Sequence, residues 1–366
     1  MHSELFRGRY FAMFPVMIFA LSLGFTYGVV RYSTLGASVL GDAVQFFGLF
    51  VGLAVGSLGF SGKDAMKNVL GPVNFIIYSS RTLPISRRKL MAAFIVKDMI
   101  YYTGLFLVPI SLGLLIPTGF STVMSVVNMH LWFLGGLALS VAFARVSLEL
   151  PTPGLDYSDW SDPLTQKSVL DLWRSSGGII KVLFSLAVLT GFYWFMVLYF
   201  PITGVFLSNP MLSYSVLLGI SSLTVYNWVN RFDKVEDYDH LPVDAEMLLE
   251  SKERAFLLIS LSITSLFFLI SLFFYRDHIL LSYGTMVSGI VYTLGLASYL
   301  TGLDPNEKLF DASVFGVYLA LNSVLVVPVL FLSVFLVRPL QPYYVGLLML
   351  MLGSGTYLAK RSREKI

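Results

Sequence analysis

Ten stretches of this 366-residue chain each run for about twenty residues almost without a charged side chain. They cover 11–30, 42–60, 99–117, 121–144, 182–200, 212–230, 255–275, 279–301, 313–337 and 343–359. A helix needs about 20 mostly apolar residues to cross a hydrocarbon core of roughly 30 Å, so each stretch is a candidate span. The composition agrees, with 13% charged residues and a mean hydropathy of +0.76. Soluble domains carry about 25% charged residues. A chain this apolar cannot cover a water-facing surface, which excludes a multidomain soluble protein. Its net charge of +3, from dispersed lysines and arginines, argues against nucleic acid as a partner. The first stretch is too long for a signal-peptide core, so it is read as an uncleaved first span. The expected fold is an all-α, polytopic membrane protein of about ten transmembrane helices.

Lysine and arginine placement orients the spans, because basic residues stay on the cytoplasmic side. With the N-terminus inside, all but Arg31, Arg276 and Arg338 of the 25 basic residues fall in the cytoplasm. So do all but Asp42 and Asp277 of the 22 acidic ones. Both termini are then cytoplasmic, and links such as Pro117–Phe120 and Arg276–His278 are the short external turns. The cytoplasmic loop Ser61–Asp98 holds seven basic residues against two acidic, whereas Arg231–Arg254 holds eight acidic against four basic. Between them, Arg145–Lys181 is rich in Pro, Ser and Asp and reads as a linker.

The chemistry missing from the sequence narrows the function. Without cysteine there are no disulfides, thiolate metal sites or thiol nucleophiles. The four histidines are dispersed, so no metal ligand set is expected. Ser57–Asp64 loosely follows a phosphate loop but lacks its first glycine and carries Asp64 where magnesium needs Ser or Thr. No Asp, Glu, Lys or Arg stands in the middle of a span, which argues against ion coupling. The polar exceptions, Asn128, His130, Asn227 and Asn322, are the candidate translocation-path residues, with interhelical hydrogen bonding as their plainer role. Gly48, Gly52 and Gly56 are spaced to let another helix approach the second span closely.

Two segments echo each other. Leu83-Pro84-Ile85-Ser86 precedes the third span and Leu241-Pro242-Val243-Asp244 precedes the seventh, each ending in a helix N-cap residue. Glu4-Leu5-Phe6-Arg7 before the first span is matched by Asp171-Leu172-Trp173-Arg174 before the fifth. The reading is a parallel internal repeat in a 4 + 6 arrangement. A first transmembrane module covers 1–150 with loop 61–98, a linker covers 151–170, and a second module covers 171–366 with loop 231–254.

Thr82-Leu83-Pro84-Ile85-Ser86-Arg87-Arg88-Lys89 resembles the L-P-[IV]-[ST]-R-R motif of type-2 ABC exporter permeases, where a cytoplasmic coupling helix runs into the third span. His2–Phe11 resembles that family's amphipathic elbow helix, and the likeness covers about residues 1–145. The second copy departs by losing both arginines and turning acidic. The resemblance implies a permease subunit in a prokaryotic plasma membrane, either a two-repeat path in one chain or a homodimer. It implies a separate cytoplasmic ATP-binding subunit that carries ATP and magnesium, with no cofactor on this chain. The coupling residues it implies are Asn74, Phe75, Arg81, Arg87 and Arg88, with Asp237, Asp239 and Glu246 in the second copy. Two other classes stand beside it: an ATPase-independent carrier or scramblase, and a membrane-embedded lipid-modifying enzyme.

Overall fold

The computed structural model describes residues 13–32, 37–56, 87–143, 162–174, 178–199, 208–231, 238, 240–308, 312–335 and 341–365. These residues form helices and turns without a strand. The chain divides into two compact units, Met1–Glu149 with Ile202–Val205, and Leu150–Pro201 with Phe206–Ile366.

In the first unit, α1 (Met13–Tyr32) packs against α4 (Val108–Thr118), and α2 (Ala37–Gly56) packs along α5 (Val123–Phe143). Between them α3 (Arg87–Tyr102) continues through a π turn, Thr103–Leu107, directly into α4. The π turn has a local cause. Pro109 lacks an N–H and its ring crowds the preceding turn, so the helix widens just before it, with the Val108 amide bonding Thr103 O. Gly119, at φ 65°, ends α4 in a conformation that only glycine takes easily.

The α2–α5 seam explains the glycine spacing. A Cβ on Gly48 would press into Met129 O, and one on Gly52 into Phe133 O while lying 2.9 Å from Leu137 N. Gly136 answers from α5 against Leu49. The backbones touch because these positions carry no side chain, and Met129, Phe133 and Leu137 are buried around the contact.

The second unit contains α6 (Pro163–Arg174), α7 (Gly178–Tyr199), α8 (Pro210–Ser221), α9 (Leu223–Val229), α10 (Ala245–Ser271), α11 (Ile279–Thr301), the single turn α12 (Pro305–Lys308), α13 (Ala312–Phe335) and α14 (Gln341–Arg363). The stretch read as a linker, 151–170, thus includes the first turns of α6. Ser221 and Ser222 bond back to Leu218 O and Gly219 O, a competition with the helix ladder that accompanies the break between α8 and α9. α7 packs on α10, α8 on α11, and α11 on α14. The last two seams are again glycine contacts, Gly219 against Gly289 and Gly295 against Gly355.

The described residues of the ten apolar stretches lie mostly on helix. Among the described residues, five helical stretches are long and apolar enough to cross a membrane: Ile95–Ala142, Val182–Tyr199, Ala245–Ser271, Ile279–Thr301 and Gly316–Ser333. Large apolar side chains such as Leu21, Phe25, Ile116, Met124 and Leu280 are exposed. That surface suits lipid rather than water, and these are the properties of a multi-pass membrane protein.

Candidate functional site

α10 is the longest helix of the second unit, and its start follows from local chemistry. Asp244 Oδ1 accepts the Met247 amide at 2.7 Å, the N-cap bond that the Pro-x-Asp spacing implies. The helix begins ten residues before the apolar stretch at 255, and that extension carries Glu246, Glu250, Lys252, Glu253 and Arg254.

Lys252 and Glu253 are each only 1% exposed. A buried charge needs partners, because the desolvation cost is several kcal/mol per ion. Arg363, at the end of α14, forks onto Glu253 Oε2 from Nη2 at 2.6 Å and Nε at 2.9 Å. Ser298 of α11 donates to Glu253 Oε1 at 2.7 Å, and Ser362 Oγ lies 2.6 Å from Ser298 Oγ. Lys252 Nζ donates at 3.1 Å to Val229 O, one of the carbonyls that the end of α9 leaves without an intrahelical donor.

Around this pair runs a second set of bonds. Glu250 Oε1 accepts from Arg254 at 2.7 Å and from Arg363 at 3.3 Å. Arg254 reaches Asp162 at 3.3 Å, and Asp162 caps α6 through the amides of Leu164 and Thr165. The Thr165 hydroxyl donates chiefly to Asp162 Oδ2 and shares its proton with Ser251 O, 3.2 Å away. Burial would raise the Asp162 carboxyl, but the Thr165 hydroxyl, the two amides and Arg254 hold it below the usual carboxylate value. Tyr226 closes the cluster by donating to Gly302 O at 2.6 Å.

The other end of α10 is also fixed. Ser271 accepts from Trp194 Nε1 at 2.7 Å, and the Trp194 ring stacks on Phe274 at 5.3 Å. Ser271 is eighteen residues from Glu253, about 27 Å at 1.5 Å per residue, close to the thickness of a hydrocarbon core. α10 is therefore held by polar bonds near its two ends, with an apolar shaft between them.

The residues nominated from sequence fall elsewhere. Asn128 donates to Gln45 Oε1 at 3.2 Å and Gln45 donates to Asp42 at 2.9 Å, which ties α5 to α2. His130 donates from Nδ1 to Val126 O at 2.8 Å, within its own helix. Asn227 is half-buried on α9, and Asn322 is buried on α13 beside Tyr318. Asn128 and His130 belong to the first unit, and Asn227 and Asn322 to the second. Arg87 and Arg88 are the first residues of α3, and Glu246 is exposed in the first turn of α10. Asn74, Phe75, Arg81, Asp237 and Asp239 lie outside the described residues.

Sequence reasoning missed Lys252, Glu253, Ser298 and Arg363. The one available signal was the spacing of Glu246, Glu250 and Glu253 along one helix; nothing local linked it to an arginine 110 residues away. Each carboxylate of the cluster bonds to a cation, a hydroxyl or an amide, an arrangement that holds helices rather than attacks a substrate. Among the described residues, no group of three His, Asp or Glu converges as a metal site requires. Comparison with protein families, with curated proteins and with solved structures finds no match.

Proposed function

We propose that this chain is the transmembrane permease subunit of an ATP-driven exporter of the type-2 ABC class, in the plasma membrane of a prokaryote. It would cross ten times with both termini inside and take its energy from a separate ATP-binding subunit. The observation that carries the reading is the shared pairing order of the two units. In the first unit the first span pairs with the third and the second with the fourth, as α1–α4 and α2–α5. In the second unit the sixth packs on the eighth, as α8–α11, and the fifth touches the seventh less extensively, as α7–α10, while the eighth packs most heavily on the tenth, as α11–α14. Glycines line the second–fourth and sixth–eighth seams alike. In the second unit, moreover, α10 starts at Ala245, directly after the echoed Leu-Pro-Val-Asp motif. This supports the parallel 4 + 6 repeat, with α13 and α14 added to the second copy.

Both long helices carry a polar first segment before their apolar part, which suits them to receive a push from a cytoplasmic partner. Closure of the ATPase on the 61–98 and 231–254 loops would tilt α2, α3, α8 with α9, and α10, opening a path outward. The test is co-purification with an ATPase encoded beside this chain, followed by ATPase assays of the pair. Replacing Arg87 and Arg88 by Glu should lower stimulated hydrolysis; unchanged hydrolysis refutes the coupling role. Lipid or solute movement by the purified chain alone in liposomes would assign it instead to carriers or scramblases.

A further inference from the structure

We propose that Arg363 is a detachable pin that holds the base of α10 against α11 and α14, and that its release opens the cytoplasmic end of the second unit. Its use as a regulator of transport rests on the permease reading above; the pin itself does not.

The argument lies in the contrast between two kinds of joint. α8, α11 and α14 are locked backbone to backbone: a Cβ on Gly219 would lie 2.9 Å from Gly289 Cα, and one on Gly355 2.7 Å from Tyr292 Cα. Parting such a seam forfeits close contact along its whole length. At this end, by contrast, α10 reaches α11 and α14 by side chains, through Glu253 to Ser298 and Arg363. Side-chain bonds of this kind release by rotamer changes, and an ion pair weakens as water enters.

The pin also has a second station. Arg363 Nη1 already reaches Glu250 Oε1 at 3.3 Å, and the Glu250 side chain is 37% exposed against 2% for Glu253. Arg363 can pass from the buried to the exposed carboxylate without losing a partner, while Glu253 keeps the Ser298 hydrogen bond and is hydrated by the water that the opening admits. On its other flank α10 is tied to α6 by Thr165–Ser251 and Arg254–Asp162, so on release α6 would travel with it.

The absence of native cysteine makes the test direct. Thr301→Cys places a single thiol at the end of α11, at a position 0% exposed whose hydroxyl bonds Ala297 O of its own helix, and Ser260→Cys places one at a position 0% exposed further along α10. Each is labelled with a membrane-impermeant maleimide in vesicles presenting the cytoplasmic face. Adding Arg363→Gln should speed labelling at 301 about tenfold and leave 260 unchanged, because the opening is local. Equal labelling at 301 with and without Arg363→Gln overturns the pin, and so does an equal rise at 260. Arg363→Lys keeps the charge but not the fork, and gives an intermediate rate if the pin is real. With the neighbouring ATPase bound and Arg363 intact, ATP should speed labelling at 301; no change overturns the regulatory role. If no ATPase binds, the permease reading fails, while the Arg363→Gln comparison still decides the pin.

Discussion

Alanine at Gly52 tests the α2–α5 seam against an internal control. The new Cβ would overlap Phe133 O and lie 2.9 Å from Leu137 N, both backbone atoms of a helix that cannot turn aside. Ordinary contact needs 3.4 Å or more, and the overlap with Phe133 O means that α2 and α5 must separate locally by more than an ångström. That loosens the packing of Phe133 and Leu137, which are 1% and 5% exposed. Overpacking of this kind costs about 1–3 kcal/mol. The control is Gly24→Ala on α1, where a Cβ meets nothing within 4 Å. Both changes gain the same helix propensity, about 1 kcal/mol, so their difference isolates the clash. Thermal unfolding in detergent, followed by the loss of the monodisperse chromatographic peak, should give Gly52→Ala a Tm several degrees below that of Gly24→Ala. At about 2–4 °C per kcal/mol the gap is measurable. Equal Tm values would refute the backbone contact.

Glu253→Ala should destabilise by about 1–3 kcal/mol, because it leaves the buried Ser298 hydroxyl facing a void while Arg363, partly exposed, keeps Glu250. Glu253→Leu with Arg363→Met together should cost clearly less, and a double-mutant cycle by thermal unfolding measures the coupling. The Asp162 carboxyl is held below its usual value in the fold, so it stabilises above the unfolded pKa of about 3.9. That contribution should vanish as pH falls through the lower folded value. Asp162→Asn should accordingly be less stable than the parent at pH 6 and equal to it at the acid limit, read from unfolding midpoints against pH. The exposed His278 and Lys365, each replaced by Cys in this cysteine-free chain, should label from opposite faces of sealed vesicles. Labelling from one face would refute the assigned orientation.

Much of the architecture was legible in residue order because it rests on local physics. A backbone in hydrocarbon must satisfy its own hydrogen bonds, so each apolar stretch had to become helix. The Pro-x-Asp signature placed the start of α10 to the residue, with Asp244 as its cap. Gly48 and Gly52 announced a close helix contact, though not that α5 makes it. The polar residues inside the spans were visible too, but their partners were not: Asn128 met Gln45 across 83 positions.

By itself the sequence determined a helical membrane protein and the confinement of its charge to one predicted side. Tertiary structure alone decided which of those charges leave water. Glu253 and Arg363 look like ordinary members of a polar loop and a basic tail, since hydropathy and charge counts sum over neighbours in the chain. Burial depends on what folds over a residue, and here that cover comes from α11 and α14, 45 and 110 positions away from Glu253. Only when those helices converge does a surface count of acids and bases become a buried joint.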